Sequence, residues 1–217
     1  MNGGTGGVGS VTGSGEFGLI DRVTARLPAG SACLLGPGDD AALVAAPDGR
    51  VAASTDVLVE GRHFRRDWSS AVDVGHRAAA ANLADIAAMG ATPTALLVAL
   101  CVPPDLDVAW AEGLADGLAA EAAKVGAGVV GGDMSASPTL TIAVTALGDL
   151  GGRPPVLRSG ARPGDVVALA GRIGYAGPGT PCCPGASGRR NCWSRRTGGR
   201  RCRTRPARTP PGSARPP

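Results

Sequence analysis

Ala95-Leu96-Leu97-Val98-Ala99-Leu100-Cys101-Val102 is apolar at every position, and Pro103-Pro104 closes it. A run of this kind predicts a β-strand covered on both faces. No longer apolar run occurs in the 217 residues, against the ~20 that a spanning helix needs, so a transmembrane helix is excluded. On the carboxy-terminal side, Asp105 predicts a cap for a helix from about Leu106 to Val125. Its Trp110, Leu114 and Leu118 recur on one face, with Glu112 and Asp116 on another. On the amino-terminal side, Ser70 opens a helix with Asp73 three residues on, and Gly90 ends it after Met89.

Further out, Leu43–Ala46, the turn Pro47-Asp48-Gly49-Arg50 and Val51–Val59 predict a β-hairpin. Val129-Val130, Thr139–Leu147 and the start of one more strand at Val166–Ala170 complete the pattern. The order β-β-α-β-α-β-β indicates an α+β domain, a small mixed β-sheet with two helices on one face.

The formal charge of +4 averages two unlike regions. Residues 175–217 hold ten of the 22 bases, all arginine, with eight Pro, seven Gly, four Cys and no acid, Val, Ile or Leu. Residues 1–174 keep twelve bases against all 18 acids, a balance of −6. The net charge therefore says nothing about the partners of the acidic body. A tail without aliphatic residues cannot offset its ordering entropy by burial, so disorder is expected there. The cysteines at 182, 183, 192 and 202 match no common zinc spacing. Residues 1–14 read as a flexible Gly-rich leader without the basic start or apolar centre of a secretory signal, and a cytoplasmic location follows as an expectation.

Four aspartate motifs stand at element ends or on a polar helical face. In Gly36-Pro37-Gly38-Asp39-Asp40, adjacent carboxylates repel unless a cation neutralises them; the plain alternative is a solvated turn. Ser54-Thr55-Asp56 offers three hard oxygen donors of the kind Mg²⁺ prefers. Arg62 and His63, which follow a glycine, can reach an anionic substrate, although a lone histidine is more often a surface or core residue. Asn82 and Asp85 share a helix face three residues apart. Gly131-Gly132-Asp133 lets backbone approach a phosphate while the carboxylate holds a bridging metal. There is no Walker A sequence, no G-x-G-x-x-G opening a helix after a strand, and no protein-kinase H-R-D signature.

Taken in order, these motifs are more specific than any one of them. Together with Glu16-Phe17-Gly18-Leu19-Ile20, the Leu58-Val59-Glu60-Gly61-Arg62-His63-Phe64 stretch, Arg158-Ser159-Gly160-Ala161 and Pro163-Gly164-Asp165, they closely resemble the thiamine-monophosphate kinases. That family belongs to the superfamily of the aminoimidazole ribonucleotide synthetases, and the resemblance runs from about Gly15 to Gly174.

The resemblance implies an ATP- and Mg²⁺-binding amino-terminal domain over 15–150 and the start of a second domain over 151–174. It implies transfer of the γ-phosphoryl group of ATP to thiamine monophosphate by direct in-line displacement, with no covalent catalytic residue. Asp40, Ser54, Thr55, Asp56, Asp85 and Asp133 look like Mg²⁺ ligands, Gly132, Asp133 and Arg158 like ATP contacts, and His63 like a substrate contact. It also implies a homodimer formed through the sheet.

The departure begins after Gly174, where the family continues into an α/β domain that is here missing or truncated. The text of 175–217 has the composition of GC-rich coding sequence read out of frame, and a frameshift product is expected. Selenophosphate synthetase and hydrogenase-maturation proteins are the rival enzyme readings, disfavoured by the Leu-Val-Glu-Gly-x-His-Phe stretch. A basic tail binding nucleic acid is the non-enzymatic rival, disfavoured because only Tyr175 and Trp193 interleave its arginines.

Overall fold

The apolar run around Leu96 lies inside an eleven-residue strand of a four-stranded sheet. The computed structural model describes residues 15–37 and 41–169. In chain order these form α1 (Glu16–Thr24), β1 (Cys33–Leu35), β2 (Leu43–Val44), β3 (Ala52–Val59), α2 (Ala71–Ala88), β4 (Thr92–Val102), α3 (Val108–Ala123), β5 (Gly128–Ala136) and β6 (Thr141–Asp149). A 3-10 turn follows at Arg158–Gly160. The chain divides into two units, residues 1–165 and 166–217, and every named element belongs to the first.

The large sheet has the order β3-β6-β4-β5. Strand β6 runs antiparallel to β3 and β4, and β4 is parallel to β5 across the α3 crossover. The alternation in β6 decides which face is covered. Ile142, Val144 and Ala146 are fully buried, while Thr141, Ala143, Thr145 and Leu147 are half-buried. The first set meets α2 and α3, which lie over that one face. This is the expected α+β arrangement of two helices on a mixed sheet.

Strand β4 departs from expectation. Leu96, Leu100 and Val102 are buried under the helices, but Leu97 and Cys101 are half-buried and Ala99 is exposed. The unbroken apolar run thus covers a core face and an open face, not two buried ones.

Helix α2 begins at its expected cap. Ser70 Oγ accepts from the Asp73 N–H at 3.2 Å and donates to the Asp73 carboxylate at 2.7 Å. Helix α3 is capped by Asp107, not Asp105, because Leu106 N–H closes a turn on Pro103 and delays the helix by two residues. Leu114 and Leu118 of α3 are buried as expected, each contributing roughly 1.5–3 kcal/mol. The two helices touch through glycines. A methyl at Gly75 would fall inside the Leu114 carbonyl, and one at Gly117 inside the Val72 carbonyl. Only glycine permits that approach.

The expected hairpin is not formed. Its turn exists, with Gly49 at φ 72° and Asp48 accepting from the Arg50 N–H, but the flanking strands part. Leu43–Val44 pairs with Cys33–Leu35, and β3 zips along its whole length against β6. Eight register pairs with an apolar partner strand outweigh the two residues that β2 can offer. The strand expected at Val166 is likewise absent: Val166, Val167 and Leu169 are exposed and unpaired over the described residues.

Helix α1 was not foreseen. Leu19 is fully buried, Ile20 and Val23 pack against the core, and Arg22 and Arg26 reach α3. Arg26 bridges Asp116 at 2.9 Å and Glu112 at 3.0 Å, and Arg22 meets Glu112 at 3.4 Å. The leader over 1–14 and the tail over 175–217 lie outside the described residues.

Candidate functional site

Strand alternation sorts the candidate ligands onto two faces. Ala52, Ser54, Asp56 and Leu58 lie opposite Gly148, Ala146, Val144 and Ile142, the row covered by α2. Ser54 Oγ donates to Asp85 Oδ2 at 3.0 Å, which joins this row to α2 near its end. Asp56 stands two residues on along the same face, ~7 Å by strand rise. Thr55 faces the other way. Its Oγ1 donates to the Val144 carbonyl at 3.0 Å and accepts from Thr145 Oγ1 at 3.1 Å.

Asp133 is also on the open face. It lies opposite Ala99, in the row that continues through Ala143 to Val57. Its nearest partner is the Ser135 hydroxyl, at 3.3 Å. Asp56 pairs with Val144, Val144 with Val98, and Val98 with Gly132, so Asp56 and the Gly132-Asp133 step are three strand spacings apart, ~14 Å. The structure thus joins Ser54 to Asp85, leaves Asp56 on the same face without a contact to either, and sets Thr55 and Asp133 elsewhere. Among the described residues no three His, Cys, Asp or Glu side chains form a metal cluster. Asp40 lies outside the described residues.

The donor chemistry of the first group still suits a hard divalent cation. Glu60 is held by Arg66 at 2.7 Å and Asp67 by Arg65 at 2.9 Å, whereas Asp56, Asp85 and Asp133 pair with no Lys or Arg among the described residues. Two carboxylates and a hydroxyl are the kind of donors that could supply part of the six-oxygen shell that Mg²⁺ prefers.

His63 sits in a tight loop after β3. Gly61, at φ 81°, donates its N–H to the Phe64 carbonyl, and Phe64 stacks on Trp110 at 6.3 Å. The Val59 N–H donates to His63 Nδ1 at 2.9 Å, so in the neutral ring the proton is on Nε2. The exposed ring therefore presents a donor to solvent. Arg77 donates to the His63 carbonyl and braces the loop from α2.

Gly132 has a structural reason to be glycine, since a methyl there would fall inside the Val98 carbonyl. With Gly131 and Asp133 it borders a cavity of ≈ 680 Å³, lined on other sides by Ile20, Leu97 and Leu114. That volume is in the range of small-molecule pockets. Arg158 is exposed in the 3-10 turn.

One polar group not among the expected ligands stands out. Asn82 is 1% exposed, donates to the Ala78 carbonyl at 2.9 Å, and leaves its Oδ1 buried without a partner. An amide among Ala78, Ala79, Leu83 and Ile86 was its sequence signal, alongside the face it shares with Asp85.

Comparison with known proteins bears on this geometry. The family model described as AIR synthase related protein, N-terminal domain, matches residues 38–150, 113 of the 217. A thiamine-monophosphate kinase of Mycobacterium tuberculosis is 51% identical over 165 residues, which are 76% of this chain and 50% of that protein. The crystal structure of thiamine-monophosphate kinase from Stenotrophomonas maltophilia K279a aligns with a TM-score of 0.52 and 40% identity, covering 61% of this chain and 42% of that one. A hydrogenase maturation protein reaches the same TM-score of 0.52 at 24% identity, covering 62% and 41%, a likeness of fold alone. The chain spans about half the length of the curated relatives it matches. With the matching segment running from the Gly-Asp-Asp turn to the end of β6, the chain belongs to the AIR synthase related family through that family's N-terminal domain.

Proposed function

We propose that this chain carries the nucleotide- and metal-binding half of a thiamine-monophosphate kinase. The observation that carries the reading is the 51% identity to a relative of that name over 165 residues, 76% of this chain. The reaction moves the γ-phosphoryl group of ATP to a phosphate oxygen of thiamine monophosphate. The bond from phosphorus to the β–γ bridging oxygen breaks as the bond to the acceptor oxygen forms, giving ADP and thiamine diphosphate. An acceptor that is already a phosphate oxygen needs little general-base help, which agrees with the lack of a nucleophile among the candidates.

Asp56, Asp85 and Ser54 would hold Mg²⁺, with Asp40 from the Gly-Asp-Asp turn as a further ligand. When bound, Mg²⁺ supplies charge neutralisation on the phosphates. Gly132 and Asp133 would border the nucleotide, and Arg158 would meet its phosphates. Asp133 is the metal ligand hardest to reconcile with the others, being on the opposite face of the sheet, so its role in this reading is at a separate position. Thr55, whose hydroxyl is engaged inside the sheet, would contribute through its backbone. The Nε2–H of His63 suits a substrate phosphate oxygen. The half-exposed face of Val57, Leu97, Ala143 and Leu147 supports a homodimer through the sheet. Among the described residues no helix is long and apolar enough to cross a membrane, and a cytoplasmic location accords with the reading.

Thermal unfolding with Mg²⁺ and a non-hydrolysable ATP analogue, with and without thiamine monophosphate, tests this. Added stabilisation by thiamine monophosphate, absent with selenide or carbamoyl compounds, supports it. Equal response to all of these substrates contradicts it.

A further inference from the structure

The turn Pro47-Asp48-Gly49-Arg50 has hairpin chemistry and makes no hairpin, because the strands on either side of it pair elsewhere. What it does hold is a segment more than a hundred residues later. Asp48 Oδ2 accepts from the Gly152 N–H at 3.1 Å, and the Arg50 guanidinium donates to the Arg153 carbonyl, also at 3.1 Å. The N–H and guanidinium of Arg50 hold the two Asp48 oxygens at 2.9 and 2.7 Å. Gly151 and Gly152, at φ 59° and 77°, bend the chain into this seat. The Asp48 side chain is only 13% exposed, so the turn is a receiving group and not a solvated corner.

From that seat the segment runs onto the end of α2. Arg153 Nη2 donates to the Gly90 carbonyl at 3.0 Å, and the Val156 N–H donates to the Met89 carbonyl at 2.9 Å. The last carbonyls of a helix lack partners within it, and a cation is favourable there. α2 has no basic residue in its own last turn, and Arg153 supplies one from outside. Val156 lies over Gly90, where a methyl would come within 3.0 Å of Val156 Cγ2. Arg158 follows this anchor by two residues, at most ~7 Å of chain. It pairs with no carboxylate among the described residues.

We infer that Asp48, Arg50 and Arg153 are positioning residues for Arg158, forming a clasp that fixes the path by which the chain reaches it from the end of the helix that carries Asp85. A guanidinium that must meet a phosphate gains from a fixed point of departure, because less freedom is lost on binding. The inference rests on the reading of Arg158 as a nucleotide phosphate contact given above.

Calorimetric titration of the full 217-residue chain with Mg²⁺ and a non-hydrolysable ATP analogue, together with amide hydrogen exchange, tests this. The Gly152 and Val156 amides should be protected in the parent. In Arg153→Ala and in Asp48→Ala, which reach the clasp from opposite sides, the Val156 amide should exchange at least about tenfold faster. Arg158→Ala should weaken analogue binding about tenfold, the scale of one charged hydrogen bond. Arg153→Ala and Asp48→Ala should each weaken it about threefold, and no further once Arg158 is already alanine. Losses that add in the double variants would overturn the inference, since the clasp would then act on the fold and not through Arg158. Faster exchange with unchanged affinity would overturn it too, and an unprotected Val156 amide in the parent would remove the clasp itself. If Arg158→Ala binds the analogue as the parent does, the phosphate role of Arg158 falls and the inference with it, while the nucleotide-binding reading stands. If the parent binds no analogue, that reading falls as well.

Discussion

Ser54 Oγ donates to Asp85 Oδ2 at 3.0 Å, tying strand β3 to the helix that follows it. A serine on the covered face of an edge strand and an aspartate near the end of a helix meet because α2 runs back over β3 after the Glu60–Phe64 loop. Replacing Ser54 by alanine should cost about 1 kcal/mol of stability without metal, the usual net worth of such a bond. Urea unfolding measures this. A variant as stable as the parent would make the contact incidental.

The second prediction concerns the two glycines at the helix crossing. Gly75→Ala or Gly117→Ala would put a methyl inside a backbone carbonyl of the facing helix, so the helices must move apart. Overpacking of this kind typically costs ~1–3 kcal/mol, and here the obstacle is backbone, which cannot rotate away. Both variants should unfold at lower urea than Gly113→Ala, where the nearest atom is the Ala71 side chain at 3.1 Å. Equal loss at all three positions would argue against a glycine-specific contact.

A third prediction is a pH dependence. Asp48 is held below the ordinary carboxylate range by the Arg50 N–H, then by the Arg50 guanidinium and by the Gly152 N–H. A carboxyl whose pKa is lower in the folded state stabilises it above its unfolded value, and that contribution fades as pH falls through the folded value. Asp48→Asn should therefore lower the melting temperature at neutral pH, with the gap closing below the ordinary carboxylate range. A gap that stays constant down to the acid limit of folding would locate its cause elsewhere.

Much of the fold can be read from the residues that end its elements. Ser70 with Asp73 opens α2, Gly90 at φ 75° closes it, and Gly126 at φ 73° follows α3. Less legible is which strand pairs with which. Pro47–Arg50 has the chemistry of a hairpin turn, but β3 takes β6 as its neighbour, a choice set by a partner about ninety residues away. The N-terminal helix was hidden for a related reason. Arg22 and Arg26 look like solvated charges until Glu112 and Asp116 of α3 are brought opposite them.

The site was legible in composition but not in grouping. Asp85 lies on the helix as its motif suggests, with the expected Asn82–Asp85 spacing, but Asp56 and Asp133 fall inside β3 and β5 instead of at strand ends. What the linear order cannot convey is the period-two alternation that separates Thr55 from Asp56, or the three strand spacings from Asp56 to Asp133. Asn82 reads as a face-mate of Asp85 in sequence, and its orphaned oxygen becomes visible only once the helix is packed.

A fourth prediction separates the two groups of aspartates. Asp56→Asn and Asp85→Asn should each weaken Mg²⁺-dependent stabilisation and leave stability without metal equal or higher, since mutual repulsion of unpaired carboxylates is relieved. Asp133→Asn should affect nucleotide-dependent stabilisation while leaving the response to Mg²⁺ alone intact. Identical profiles for all three variants would mean that they act at one position.

The most direct measurement is thiamine diphosphate formation from thiamine monophosphate, ATP and Mg²⁺, by the 217-residue chain and by the same first 165 residues joined to the remaining half of a curated relative. Holding donor and acceptor in line can account for ~7–11 kcal/mol of barrier lowering, so half of a site should bind without turning over. The account predicts product at or below background from the 217-residue chain, clear turnover from the joined protein, and loss of that turnover with Asp85→Asn. Robust synthesis by the 217-residue chain alone, or turnover in the joined protein that survives Asp85→Asn, would contradict it.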